Sequence, residues 1–351
     1  MLIQIVIIFV LGRPSLGFPK SLVWNGGPLH SECEHSPDLW TSRGQYVKEN
    51  IIATKALTHN DKIFVITPRM KHGVLATVWQ ILQVDGVVEL QPFPNVRAHS
   101  IADCSAVQNA VDFHIDHLGQ LWVLDSGIVD TNDEPQCTCP PKVVVISIFM
   151  RKVINRIDLS SLTKPSTQLQ TITVEYGIGG KPFVYVSDAS RGAILVYDPI
   201  EDSGWIVLAC SPSAGLQLAL VKRTLRHSVL ILVRLEFEGI IELDTTVLRR
   251  KMSPSTVTVL GGDTKAVTLL GSDAHHIYYR HLECSDVLRW DTREPYETSH
   301  HKGIHSPGPH LVPTSVASDN LKPYLLILES DYGDTILGNC PTHHRINFIS
   351  V

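Results

Sequence analysis

Long hydrophobic runs are missing from this 351-residue sequence, and so is any sustained helical periodicity. The longest apolar stretch covers only the ten residues 2–11, whereas a membrane-spanning helix needs about 20. Blocks of like charge are absent as well, and the formal net charge is −5. Nucleic-acid binding requires a basic face. The composition therefore argues against a transmembrane helix and against a nucleic-acid partner.

Familiar catalytic and cofactor motifs are also absent. The chain has no Gly-x-Ser-x-Gly nucleophile elbow, no phosphate-binding loop and no His-Glu-x-x-His zinc motif. Ser126 stands in Asp-Ser-Gly but has no recognisable base partner. Adjacent histidine pairs point to opposite sides of a strand and do not converge on one ion. We predict no cofactor and no metal site, and hydrolase chemistry is not supported.

The N-terminus resembles an export signal. Residues 2–11 are followed by Arg13 and Pro14 and then by Ser-Leu-Gly at residues 15–17, which places small residues as a signal peptidase needs them. The alternative is a buried first strand. We predict a signal peptide at residues 1–17 and a single secreted domain at residues 18–351, which does not contact the membrane after the signal is removed.

One pattern recurs along the chain and indicates its architecture. At residues 121–127, Leu-Trp-Val-Leu-Asp-Ser-Gly is a β-forming run that ends at an acidic turn. Similar runs start near Ile63, Leu121, Val184, Val229, Ile277 and Tyr324. Their successive separations are 58, 63, 45, 48 and 47 residues. Repeats of roughly 40 to 50 residues with several strands each are typical of β-propellers. We predict an all-β, six-bladed β-propeller, closed by pairing of residues 18–24 with the last unit.

Seven cysteines in an exported chain indicate disulfide bonds and one odd thiol. Cys137 and Cys139 lie in a polar loop, and one of the two is expected to bond to Cys104. A metal site is the alternative, but Cys-x-Cys followed by two prolines lacks the spacing and the second pair of a zinc site. The other four cysteines cannot be paired from the sequence.

Several stretches resemble the insect Yellow/major royal jelly protein family. They are Tyr46-Val-Lys-Glu-Asn50, the runs at residues 61–77 and 119–127, Cys139-Pro-Pro141 and the run at residues 185–198. The resemblance is specific through about residue 208 and weaker beyond, where residues 288–295 match best. It implies a secreted six-bladed propeller.

The default ligand site of a propeller is the channel mouth, where loops from all blades meet. The ends of the inner strands are expected to bring Arg69, Asp125, Ser126, Asp188 and Glu329 to one mouth. A ring of carboxylates there suits an ammonium group, and aromatic side chains suit a cation or a ring. The predicted ligand-binding residues are Arg69, Asp125, Asp188, Trp122 and Phe113. The alternative is that these carboxylates only cap turns.

The resemblance implies small aromatic amines or catechol-derived molecules as ligands, in cuticle pigmentation or development. An alternative is an enzyme that converts dopachrome by tautomerisation. Arg69 would then hold the substrate carboxylate, and His114 or Asp125 would move the proton. His114 has its own alternative, a satisfied interior histidine. A third possibility is a structural or nutritive secreted protein whose pocket has decayed. We expect ligand binding ahead of catalysis.

Overall fold

Short runs rich in Val, Ile, Leu and Tyr form strands throughout the chain, as β-branched and aromatic residues favour. The computed structural model describes residues 20–30, 36–224, 227–235, 237, 239–252, 257–261, 265–318, 323–336 and 341–350. The predicted signal peptide, Cys33 and Cys340 lie outside the described residues. Helices in this part of the chain are short: α1 (Ser36–Ser42), α2 (Thr245–Arg249) and α3 (Tyr332–Ile336).

The strands of the first two blades follow one another along the chain, after a first strand that joins the last blade. That first strand is β1 (Ser21–Asn25). Blade 1 contains β2 (Lys55–His59), β3 (Lys62–Ile66), β4 (Val78–Val84) and β5 (Val87–Pro92). The next strands are β6 (Ala110–Ile115), β7 (Gln120–Asp125), β8 (Ile128–Val129), β9 (Gln136–Cys137), β10 (Lys142–Ser147) and β11 (Lys152–Asp158). Blade 2 uses β6, β7, β10 and β11, while β8 and β9 pair separately.

The remaining strands complete four more blades. Blade 3 contains β12 (Leu169–Tyr176), β13 (Pro182–Asp188), β14 (Ala193–Asp198) and β15 (Ser203–Leu208). Blade 4 contains β16 (Leu216–Thr224), β17 (His227–Arg234), β18 (Ile240–Asp244) and β19 (Thr258–Leu260). Blade 5 contains β20 (Val267–Ser272), β21 (His276–His281), β22 (Val287–Asp291) and β23 (His301–His305). Blade 6 contains β24 (Val312–Ser318), β25 (Tyr324–Ser330) and β26 (His343–Ser350), with β1 as its fourth strand.

The innermost strands pack around a central channel in the order β2, β6, β12, β16, β20 and β24, and β24 contacts β2 to close the ring. Strand β1 pairs antiparallel with β26, with Trp24 opposite His344. This pairing gives the last blade its outer strand and covers an edge that would otherwise be open. The predicted six-bladed propeller, closed near its terminal strands, is confirmed.

The recurrent runs recognised in the sequence form the second strand of every blade: β3, β7, β13, β17, β21 and β25. Two first strands were missed. From the sequence pattern, the first blade would start near residue 63 and the third near residue 183. The blades in fact begin at β2 and β12, which carry several polar residues because they face the channel.

Apolar side chains fill the spaces between neighbouring blades. Between blades 1 and 2, Phe64, Phe93 and Phe113 are fully buried in one cluster. The rings of Phe64 and Phe93 meet edge to face, with centroids 4.9 Å apart. Burying one such side chain contributes about 2 kcal/mol, so packing between blades fixes the inner strands and the side chains that they present to the channel.

Candidate functional site

A cavity of about 520 Å³ occupies the channel, and the inner strands of all six blades line it. The lining residues lie mainly in the second halves of these strands and in the turns that lead to the next strand. A volume in this range suits a small organic ligand. The cavity therefore lies toward the end of the propeller where each first strand turns into the second.

An ion pair from the first two blades contributes to the cavity wall. Lys55 Nζ lies 2.7 Å from Asp112 Oδ1. The other oxygen of Asp112 accepts a hydrogen bond of 2.8 Å from the backbone N–H of Ile172. The ammonium group also lies 5.9 Å from the centre of the Phe113 ring. Phe113, predicted to bind ligand, is thus part of the cavity wall, although its side chain is packed between the blades.

His114 follows on the same strand and lines the cavity. Burial, reinforced by the positive charge of Lys55, lowers the pKa of its imidazole to about 4. The ring has no hydrogen-bond partner among the described residues. His114 is therefore neutral at pH 7 and offers the cavity a nitrogen lone pair and an N–H group. The structure places this predicted catalytic candidate in the channel.

Two carboxylates stand near the outer end of the cavity. Asp116 accepts hydrogen bonds from Tyr176 Oη at 2.5 Å and from Trp122 Nε1 at 2.8 Å. Asp273 accepts a bond of 2.7 Å from Tyr278 Oη. Although burial acts to raise the pKa of Asp273, hydrogen bonds from neighbouring backbone N–H groups and Tyr278 lower it. Trp122, predicted as an aromatic ligand contact, is itself buried and positions Asp116.

Arg69 and Asp125 lie at the opposite end of the blades, where the second strands finish. Arg69 is 1% exposed, and burial lowers its pKa to about 10. Its guanidinium donates to the backbone carbonyls of residues 74, 75, 99, 107 and 108. Asp125 accepts from three backbone N–H groups and lies 2.7 Å from Lys142 Nζ. Asn109 links the two residues: its backbone N–H donates to the Asp125 carboxylate, and its side-chain oxygen accepts from the backbone N–H of Arg69.

Asp188 and Glu329 occupy equivalent strand ends in blades 3 and 6. Asp188 is fully buried and accepts hydrogen bonds from Ser190 and from the side chain of Arg191. Burial acts to raise its pKa, but these bonds hold it below its usual value. Glu329 contacts His305 Nε2 at 2.5 Å. Arg69, Asp125, Asp188 and Glu329 lie at the ends of second strands rather than of the inner strands, away from the cavity, with contacts typical of turn caps. Ligand binding by these residues stays a prediction.

A disulfide joins Cys104 to Cys139, the second of the two partners that the sequence offered. It connects the segment before β6 to the long loop after β7. In the described residues Cys137, Cys210 and Cys284 are free thiols, and no group of three or more His, Cys, Asp or Glu side chains there is placed to hold a metal ion.

Sequence reasoning missed several polar residues that line the cavity, Lys55, Asp116, Tyr176 and Asp273, and also Asp112, the ion-pair partner of Lys55. One signal was present for two of them. In Asp112-Phe-His-Ile-Asp116 the two-residue period of a strand puts both carboxylates on the same side as His114. Lys55 and Tyr176 belong to the two first strands that the pattern did not reveal.

Comparison with known proteins places this chain among insect relatives. Residues 108–211 match the family model "Major royal jelly protein". Dopaminechrome tautomerase of Drosophila melanogaster is 30% identical over 171 residues, which cover 47% of this chain and 37% of that protein. Protein yellow of Drosophila yakuba is 28% identical over 168 residues, 46% of this chain and 31% of the relative. The chain thus spans about a third of the length of the curated relatives it matches.

Solved structures support the architecture. A luciferin-regenerating enzyme is 9% identical with a TM-score of 0.51, covering 89% of this chain and 95% of its own. An auxiliary nutrient binding protein from Bacteroides thetaiotaomicron is 10% identical with a TM-score of 0.51, covering 94% and 77%. At such low identity these matches show the fold alone. No helix within the described ranges has the length and apolar character needed to cross a membrane.

Proposed function

We propose a function from one premise, that the chain belongs to the Yellow/major royal jelly protein family. The protein is secreted and binds a small aromatic amine or a catechol-derived molecule in its channel, in cuticle pigmentation or development. The observation that carries this proposal is the channel cavity of about 520 Å³, lined by all six inner strands. Its lining combines apolar side chains, which suit an aromatic ring, with about as many polar and charged ones, which suit the substituents of such a ring.

The polar groups assign an orientation to the ligand. His114 and Lys55 lie together, so a catechol hydroxyl can donate to the imidazole while a ring oxygen accepts from the ammonium. The carboxylates of Asp116 and Asp273 lie at the outer end. Their oxygens already accept several hydrogen bonds each, so they attract an ammonium group through their charge rather than through vacant lone pairs.

Catalysis is the second candidate, and the state of His114 favours it. A neutral imidazole without a protein partner can take a proton from a ring carbon of an aminochrome. The electron pair left behind moves to a quinone oxygen, which Lys55 stabilises and which gains a proton from water. The imidazolium of His114 returns its proton to the hydroxide that remains, which restores the neutral imidazole. The product is an isomer of the substrate, and no oxidant or reductant is needed. One relative carries the name Dopaminechrome tautomerase, which agrees with this chemistry.

The test is to add purified secreted protein to dopachrome or dopaminechrome at a fraction of an equivalent and to follow substrate loss, with a heat-denatured sample as control. Calorimetric titration with dopamine is run in parallel. Saturation at one equivalent without turnover supports the binding protein. Loss of many equivalents supports the tautomerase. The absence of both binding and turnover would indicate a structural or nutritive protein and would refute both proposed functions.

Two variants connect the result to the cavity. His114→Gln removes the proton acceptor, and its turnover is expected to fall at least about 100-fold, whereas ligand affinity changes far less. Asp188→Asn alters the opposite end and is expected to leave both turnover and amine affinity unchanged. A selective loss of amine affinity in Asp188→Asn, with the fold intact, would place the ligand at that end instead.

A further inference from the structure

A second concave site lies on the outside of the propeller between blades 1 and 2. It has a volume of about 360 Å³. One wall is the connection from β5 to β6, and the other is the start of strand β11. Four cationic side chains line it: Arg97, Arg151, Lys152 and Arg156. The one acidic residue in the lining is Asp103, so the groove is basic in a chain whose net charge is −5.

These four cations lack carboxylate partners within the described residues. Arg151 donates to uncharged oxygens, the side chains of Gln80 and Gln91 and the carbonyl of Pro94. Arg156 donates from Nε to the carbonyl of Ser105 at 2.7 Å. Asp103 accepts instead from the N–H and hydroxyl of Ser105. One carboxylate, Asp103, offsets only part of the charge of four cations, and an anionic ligand removes the remaining repulsion.

The groove is also held in place before any ligand arrives. The guanidinium of Arg151 lies 5.1 Å from the centre of the buried Phe93 ring, in addition to its three hydrogen bonds. The disulfide at Cys104 lies between Asp103 and Ser105 and ties that wall to Cys139. Because these groups are already fixed, less conformational entropy is lost on binding.

The spacing of the charges distinguishes an extended ligand from a single ion. Lys152 and Arg156 are four residues apart in β11, a distance of about 13 Å along an extended strand. A lone sulfate or phosphate contacts only one or two of these groups. An extended chain with an anionic group on each unit contacts several. A disulfide is typical of extracellular proteins, and sulfated polysaccharides are the extended polyanions of that compartment.

We propose that this groove binds a sulfated polysaccharide through its sulfate groups. The site is separate from the channel and does not depend on a channel ligand, although the choice of ligand rests on the proposed secretion of the protein. Arg97 is exposed and makes no contact with a carboxylate in the described residues, so its charge and its N–H donors are available to the ligand. Arg151 and Arg156 combine charge with hydrogen-bond donors, which suit sulfate oxygens.

The probe is a fluorescently labelled heparin octasaccharide, measured by anisotropy in low salt. The test variant is Arg97→Ser/Lys152→Ser/Arg156→Ser, and the control is Lys164→Ser/Lys265→Ser/Lys302→Ser, which removes three charges from exposed sites elsewhere. The groove variant should bind about 30-fold more weakly, since three exposed charge contacts of about 0.7 kcal/mol each add to about 2 kcal/mol. Its affinity should also depend less on salt. The control should change by less than about threefold.

Several results would overturn the proposal. Equal losses in both triple variants would mean a general charge effect without a site. A heparin disaccharide or inorganic sulfate that binds as tightly as the octasaccharide would mean a small-anion site. Groove-dependent binding to phosphatidylserine vesicles, without binding to heparin, would mean a membrane surface. If the triple variant does not fold, the single change Arg97→Glu, at an exposed side chain, must by itself weaken octasaccharide binding.

Discussion

Acid should destabilise the ring closure through one histidine, His344. Its ring is fully buried in β26 and stacks on Trp24 of β1, with centroids 4.9 Å apart. Nε2 accepts a hydrogen bond of 2.9 Å from the backbone N–H of Ala53. A proton on Nε2 would set two N–H donors against each other. Burial, and to a smaller degree the neighbouring His343, lowers the pKa of His344 to about 3.

The sign and size of the effect follow from linkage. In the unfolded chain the imidazole has a pKa of about 6.5, so it takes up a proton as the pH falls through that value. The folded protein stays unprotonated at this site until about pH 3. The contribution of His344 to the free energy of unfolding is therefore fully present above about pH 6.5 and is lost as the pH falls from there toward pH 3. Between pH 7 and pH 5 the free energy of unfolding should drop by about 2 kcal/mol on account of His344.

Urea unfolding at pH 7 and pH 5, for wild type and His344→Gln, measures this contribution. The glutamine amide oxygen can still accept from Ala53 but does not titrate. Wild type should lose about 2 kcal/mol more than the variant over this interval, because other titrating groups contribute equally to both. His72→Gln, at a side chain 70% exposed, should behave as wild type. Equal losses in wild type and His344→Gln would refute the reasoning.

Two further changes probe the end of the propeller where the second strands finish. Replacing both Cys104 and Cys139 with serine removes a disulfide between residues 35 positions apart. The free energy of unfolding should fall by about 4 kcal/mol and the melting temperature by roughly 5 °C. An unchanged melting temperature in calorimetry would contradict this. Gly127→Ala should prevent folding or lower the melting temperature severely, because φ is +73° and a Cβ would meet the carbonyl oxygen of Cys139 at 1.9 Å. The matched control Gly86→Ala has φ +83° but no atom within 4 Å, and should cost only about 1 kcal/mol.

The repeat could be predicted from the sequence because the second strand of each blade is buried on both faces. Such strands read as continuous apolar runs, as in Leu121 to Leu124. The first strands obey a different requirement. One side of β2 and of β12 faces the channel cavity, so polar residues such as Lys55 and Thr173 interrupt the apolar pattern of these strands. The strands that the pattern missed are thus among those that form the candidate site.

The predicted site residues show a second limit of sequence reasoning. In the structure Arg69 and Asp125 lie near each other at one end of the blades, where both bond to Asn109. The sequence does not reveal whether a guanidinium points toward solvent or back toward carbonyls up to 39 residues away. That choice depends on loops folding over the strand ends, and here the loops enclose the side chain completely. His114 was a candidate with an interior histidine as its alternative, and in the structure it lines the cavity.

The two ends of the propeller therefore respond differently to substitution. At the end where the second strands finish, Arg69, Asp125 and Asp188 are buried and their polar atoms are bound to nearby loops. Removing one partner there leaves a buried polar group unsatisfied, which costs stability.

At the other end His114 lines an open cavity and has no partner in the described residues, so its replacement removes no internal bond. Loss of function with normal stability should accordingly follow changes at the channel, and loss of stability should follow changes at the opposite end. Thermal unfolding together with dopamine titration, on His114→Gln and Asp125→Asn, separates the two; a destabilised His114→Gln with normal ligand behaviour would reverse the assignment.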